Sequence, residues 1–230
     1  MKFTYLIANF LVISVPFIFT FHKRFPFYKT WRAFWPATLI TAAFFIGWDM
    51  LYTYLKVWGF NPVHLINYYL FNLPVEEWLF FICIPYASVF TYYCFSIIVK
   101  KQEFKHEHYV TGILSLFLIL AGLANYNKLH TGATFTGLAL FLSLCQWVFK
   151  VKWLGRFYFT WIFLLIPFFI VNGILTGINL EEPVFWYDEK EITNVKLLTI
   201  PVEDLFYGML LIAVNVGLYE FFLKRYDAKK

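Results

Sequence analysis

The chain has 230 residues, of which 61% are apolar and only 14% charged, against roughly 45–50% and about 25% in soluble domains. With a mean hydropathy of +0.64, too little polar surface remains to cover a water-soluble particle, which excludes a soluble globule and makes lipid the main solvent. The net charge of +5 is an orientation signal carried by loops and not a nucleic-acid surface.

Apolar runs near the ~20 residues that cross a bilayer predict seven helices, at approximately 4–21, 33–54, 75–99, 109–125, 131–149, 156–176 and 199–223. Backbone groups in lipid must be satisfied internally, which makes all seven helical, and no segment alternates as a membrane barrel does. The positive charges of the first run follow it, and no small-residue cleavage site precedes His22, so it reads as a permanent span. No Pro/Gly/Ser linker divides the chain, so residues 1–230 read as a single integral-membrane domain.

Alternate loops hold the cations. Lys23, Arg24, Lys29 and Arg32, then Lys100, Lys101 and Lys105, then Lys150, Lys152 and Arg156, then Lys224, Arg225, Lys229 and Lys230 fall on one side. Lys2, Lys56, Lys128, Lys190 and Lys196 fall on the other. Fourteen against five implies N-out, C-in topology in a cytoplasmic membrane. Cys83, Cys94 and Cys145 lie in predicted helices without CxxC spacing, which supports neither a disulfide framework nor a thiolate metal site.

An internal repeat appears at an offset of 127 residues: Leu73-Pro74-Val75-Glu76-Glu77 aligns with Ile200-Pro201-Val202-Glu203-Asp204. Each copy opens a helix, the third and the seventh. Asp49 and Asn172 stand near the ends of the preceding helices, and a four-residue indel reconciles their spacings. Copies spanning approximately 1–99 and 131–223 therefore place helices 1–3 and 5–7 as two parallel three-helix repeats joined by helix 4.

One such motif has an ordinary explanation, since Pro suits a helix start and first-turn acids complement the dipole. Two at matching depth put four carboxyls on the extracytoplasmic side, where pseudo-twofold packing would gather them around a shared cavity. Intramembrane acids are costly and mark pathways or reaction sites. At 100° per residue, Ser88 and Asn215 continue the faces of Glu77 and Asp204, either as site groups or as helix–helix hydrogen bonds. Phe80 and Tyr207 stand one turn below Glu76 and Glu203, and Gly208 would leave room for a ligand.

A carboxylic acid shielded from water can protonate a weak base such as an alkene, and a neighbouring carboxylate can take a proton back. The intervening carbocation needs ring faces and no nucleophile, a use for a composition that is 24% aromatic. The inference is acid-catalysed rearrangement of a lipid alkene.

At these residues the sequence resembles the membrane-integral carotenoid (lycopene) cyclases, whose hallmark is a twin PxE(E/D) motif. Asn172 through Thr176, Pro183 through Tyr187, and Asn215 with Tyr219-Glu220 also look like the family pattern. The resemblance covers almost the whole chain. It implies a cofactor-independent, non-redox isomerisation in which linear lycopene ends, drawn from the bilayer, close to β-ionone rings. Glu76, Glu77, Glu203 and Asp204 would donate and remove protons, with Asp49, Asn172, Phe80, Tyr207 and Asn215 binding or tuning, and no metal.

The absence of a GxGxxG after a strand argues against a flavin, and the lack of Lys between Ile200 and Leu223 argues against a retinal Schiff base. A transporter or proton-coupled channel is the alternative from another class. His106 and His108 read as solvated and His64 and His130 as isolated. Glu181, Glu182, Asp188, Glu189 and Glu191 read as a solvated loop over helices 6 and 7.

Overall fold

The computed structural model describes residues 3–99 and 106–228. Six cations of the loop count, Lys2, Lys100, Lys101, Lys105, Lys229 and Lys230, lie outside the described residues. In chain order the elements are α1 (Thr4–Phe19), α2 (Trp31–Tyr54), β1 (Trp58–Phe60), β2 (Tyr69–Leu70), β3 (Leu73–Pro74), α3 (Val75–Ile98), α4 (Glu107–Ala124) and α5 (Leu129–Ser143). A π-helical turn at Leu144–Val148 extends α5, and α6 (Leu154–Leu175), β4 (Phe185–Tyr187), β5 (Lys196–Leu197), β6 (Ile200–Pro201) and α7 (Val202–Asp227) follow.

All seven predicted helices are thus present, with short strands between them. Six of the helical segments described are long and apolar enough to cross a membrane. The seventh, α1, has 16 residues, a rise of about 24 Å against a ~30 Å hydrocarbon core. Outward stripes such as Phe10, Leu11, Val15 and Ile18 on α1, and Ile162, Ile166 and Ile170 on α6, are exposed. Repetition every three or four residues gives each helix a continuous apolar face suited to lipid. The chain is therefore a multi-pass membrane protein.

Two compact units organise the described residues. The first takes in those of Met1–Leu55, Phe60–Lys101 and Leu211–Lys230; the second takes in Lys56–Gly59 and those of Gln102–Leu210. In the first, α1 and α2 pack on α3 around the fully buried rings of Tyr5, Phe34, Phe45, Phe81 and Tyr86. Asn9 Nδ2 donates to the Glu76 carbonyl at 2.8 Å, and Thr20 and Tyr86 share a hydroxyl bond of 2.6 Å. In the second, α4 packs on α5, Thr111 bonds Tyr158 at 2.6 Å, and Glu107 Oε2 accepts from the Gly155 amide at 2.8 Å. A polar side chain buried in lipid needs such a partner.

The segment before each PxE(E/D) helix folds as a hairpin. Tyr69 pairs with Pro74 and Leu70 with Leu73; 127 residues later Lys196 pairs with Pro201 and Leu197 with Ile200. Positive φ recurs in register, at Asn67 (65°) and Asn194 (63°) and at Phe71 (56°) and Leu198 (60°). Asparagine tolerates that conformation, whereas Phe and Leu occupy it under strain. Each hairpin also caps its helix: Val75 N donates to the Tyr68 carbonyl and Val202 N to that of Val195, both at 2.9 Å. Proline at the junction presets the backbone and needs no donor of its own.

Two glycines permit close approach in the second unit. A Cβ on Gly208 would lie 3.2 Å from Phe168 and 3.6 Å from Trp161. The space expected there for a ligand is filled by these α6 rings. Gly208→Val is expected to cost about 1–3 kcal/mol through overpacking, read as a lowered thermal midpoint of the purified protein. A Cβ on Gly59 would lie 2.3 Å from the Trp186 ring, where β1 pairs with β4 and Asp188 N donates to the Val57 carbonyl at 2.8 Å.

Candidate active site

Glu76 and Glu203 occupy the first turns of α3 and α7, and both are 0% exposed. Each reaches back to the loop ten residues upstream. Ile66 N donates to Glu76 Oε1 at 2.6 Å, and Thr193 N donates to Glu203 Oε1 at 2.6 Å. Thr131 Oγ1 adds a second 2.6 Å bond to Glu203 Oε1. The other oxygen, Oε2, is buried without a hydrogen-bond partner among the described residues in both Glu76 and Glu203. A buried carboxyl oxygen left open is costly, and it recurs at both repeat positions.

The second acid of each pair is partnered differently. Glu77 Oε2 accepts from Tyr5 OH at 2.6 Å and the carboxyl also hydrogen-bonds Asp49, both partners coming from the first unit. Asp204 Oδ2 accepts from Tyr187 OH at 2.7 Å, and His130 Nε2 lies 3.6 Å from its Oδ1, all within the second unit. Glu77, Asp49 and His130 are buried, and Asp204 nearly so. In the loop outside the spans, burial and then the charge of Glu76 push the Tyr69 phenol above the usual tyrosine range.

Aromatic rings adjoin both pairs. In the first unit the Tyr5 ring is 6.2 Å from Phe80, which meets Phe81 at 5.5 Å. In the second, Trp58 meets His130 at 4.9 Å and Tyr207 at 5.8 Å, and Tyr187 lies 6.4 Å from the His130 ring. Phe80 and Tyr207 therefore stand beside their acid pairs. Asn215 instead bonds Thr38 Oγ1 of α2 at 3.3 Å, a helix–helix contact. The Asn172 carbonyl accepts from Thr176 Oγ1 at 2.7 Å, and no hydrogen bond from its side chain to an acid is present among the described residues.

Several site residues carry no sign in the local sequence. His130, read as isolated, faces Asp204, and His64 Nδ1 meets Thr4 Oγ1 at 3.3 Å. Glu191, read as solvated, accepts from Leu129 N at 2.8 Å through its carboxylate, and its carbonyl accepts from His130 N at 3.2 Å. It thereby caps the start of α5 that carries His130 and Thr131. Tyr5, Trp58 and Tyr187 are distant in sequence from the acids they serve. Comparing the repeats would have flagged one of these positions, because Tyr187 aligns with Phe60 at the offset of the twin motif.

Each unit thus holds an acid pair, its first glutamate fully buried, at the start of a membrane-length helix and close to aromatic rings. The sequence model of one family, described as lycopene cyclase, matches this chain twice, over residues 2–95 and 127–222. The chain belongs to the lycopene cyclase family, enzymes that cyclise carotenoids, and its two matched halves fit a fused member. No curated protein and no solved structure matches it.

Proposed function

We propose that this chain is a cofactor-independent lycopene β-cyclase, an isomerase closing the linear ends of lycopene to give γ- and then β-carotene. The observation that carries the reading is the matched pair of buried, open oxygens, Glu76 Oε2 and Glu203 Oε2. With Oε1 occupied by amide donors, a proton on Oε2 points away from the hairpin. It adds to the terminal double bond, and the tertiary cation is attacked by the next alkene as the ring bond forms. Loss of a ring proton to a neighbouring carboxylate, Glu77 or Asp204, leaves the β-ionone ring, and the carboxyls exchange their protons with solvent before the next turnover. No atom is gained or lost. Phe80, Trp58 and Tyr207 offer ring faces to the cation and no nucleophile.

Seven spans with the N-terminus outside, and acid pairs on the extracytoplasmic side, follow from the loop charges. Lycopene, insoluble in water, reaches the site laterally from the bilayer of the cytoplasmic membrane.

Expression in a lycopene-accumulating bacterial host, with pigments resolved by chromatography, absorption and mass, tests the activity. Cyclic products of unchanged mass are expected; unaltered lycopene beside a folded, membrane-inserted protein overturns the reading. Reaction of the purified enzyme in D2O tests the chemistry. About one deuterium should enter for each ring formed, because exchangeable carboxyls supply the proton. Rings formed without deuterium would rule out proton donation by these acids.

A further inference from the structure

We propose that His130 is a positioning residue of the second acid pair, holding Asp204 through a ring nitrogen that stands 3.6 Å from its carboxyl, beyond hydrogen-bond reach, and of which Glu77 has no counterpart among the described residues. The inference rests on the reading of the acid pairs as proton-transfer groups. The two halves share hairpin, helix start and the clasp on the first glutamate, yet they partner the second acid with different residues. Glu77 has Tyr5 and Asp49. Asp204 has His130 and Tyr187. Each half thus partners its second acid with a tyrosine and with a further residue of a different type, Asp49 or His130.

The chemistry of the two sets is unequal. A hydrogen bond between the carboxyls of Asp49 and Glu77 requires a proton on one of them, because an ionised carboxylate only accepts. Asp204 accepts from the Tyr187 phenol at 2.7 Å and has the His130 imidazole 3.6 Å away. Thr134 Oγ1 lies 3.2 Å from His130 Nδ1; with that hydroxyl donating, the ring proton sits on Nε2, facing Asp204 Oδ1. Trp58 against the ring at 4.9 Å and the Glu191 cap on its backbone fix where the imidazole stands. His130 is 0% exposed.

The test uses the full chain reconstituted with lycopene, comparing His130→Phe, His130→Gln and His130→Gly with Glu76→Gln and Glu203→Gln. A positioning role predicts that His130→Phe loses roughly 10- to 100-fold in kcat with KM within about twofold. His130→Gln should retain part of the loss, and added imidazole should restore His130→Gly several-fold. The infrared carboxyl signal that disappears in Asp204→Asn should shift in His130→Phe. Wild-type kcat in a folded His130→Phe overturns the inference. Should that variant not fold, the decision falls to His130→Gly: no imidazole rescue and an unmoved Asp204 signal also overturn it. Full activity in both Glu→Gln controls would instead defeat the underlying reading, whatever His130 does.

Discussion

Glu76→Gln and Glu203→Gln are each expected to lower lycopene turnover by about 10²–10⁴-fold, the range ascribed to a positioned general acid, and their combination should leave no measurable cyclisation. Glutamine nearly matches glutamate in shape. Its amide oxygen can still accept from Ile66 N or Thr193 N, which stand at 2.6 Å from the present carboxyls. The hairpin clasp therefore survives, and the membrane-inserted protein should keep its helix content and thermal midpoint. What is lost is the transferable proton at the open Oε2. Single-turnover assays with pigment analysis read the loss. Unchanged turnover in both variants, with folding intact, would refute the assignment. Unequal losses would show that the halves contribute unequally, as the different partners of Glu77 and Asp204 lead one to expect.

Gly59→Val should have the next largest effect. A Cβ at Gly59 falls on the outer edge of the Trp186 ring, so that half-exposed ring must leave its place over β1 and the pairing of β1 with β4 loosens. The neighbouring residues Trp58 and Tyr187 belong to those paired strands, and both touch the His130 ring, while Tyr187 donates to Asp204. Displacing the pairing thus removes a ring face and a hydrogen bond from the second acid pair together. Turnover should fall about 10²-fold, the cost of displacing positioned groups by an ångström, with about 1–3 kcal/mol lost in stability. Because no acid is altered, the deuterium content of the remaining product should stay at one per ring. A fully active, stable Gly59→Val would show that the strand contact does not position the site.

Helix positions, lipid as solvent, the twin motif and the four acids were legible from residue order. They depend on local properties: the length of an apolar run, the position of a proline at a helix start, and a repeat in register. Those properties act within a few residues of the chain and need no tertiary partner. The spacing also placed Phe80 and Tyr207 beside their acids, since residues four apart share a helix face. It failed at Gly208, whose apparent vacancy is occupied by Phe168 and Trp161. Nor could it choose between a site role and a helix contact for Asn215, which bonds Thr38 across 177 residues of chain.

Partnership was decided by tertiary structure alone. Which donor meets Glu77 or Asp204 depends on how segments 17 residues apart, for Tyr187, or 72, for Tyr5, come together, and no local periodicity encodes that. Tyr5 reaches Glu77 across 72 residues, and His130 reaches Asp204 from the start of another helix. Hydrogen bonds are short and directional, so an ångström of packing determines whether a buried tyrosine serves an acid or merely fills space. The acid inventory follows from composition and repeat, whereas the open oxygen of each glutamate and the unequal partners of the two halves follow only from packing.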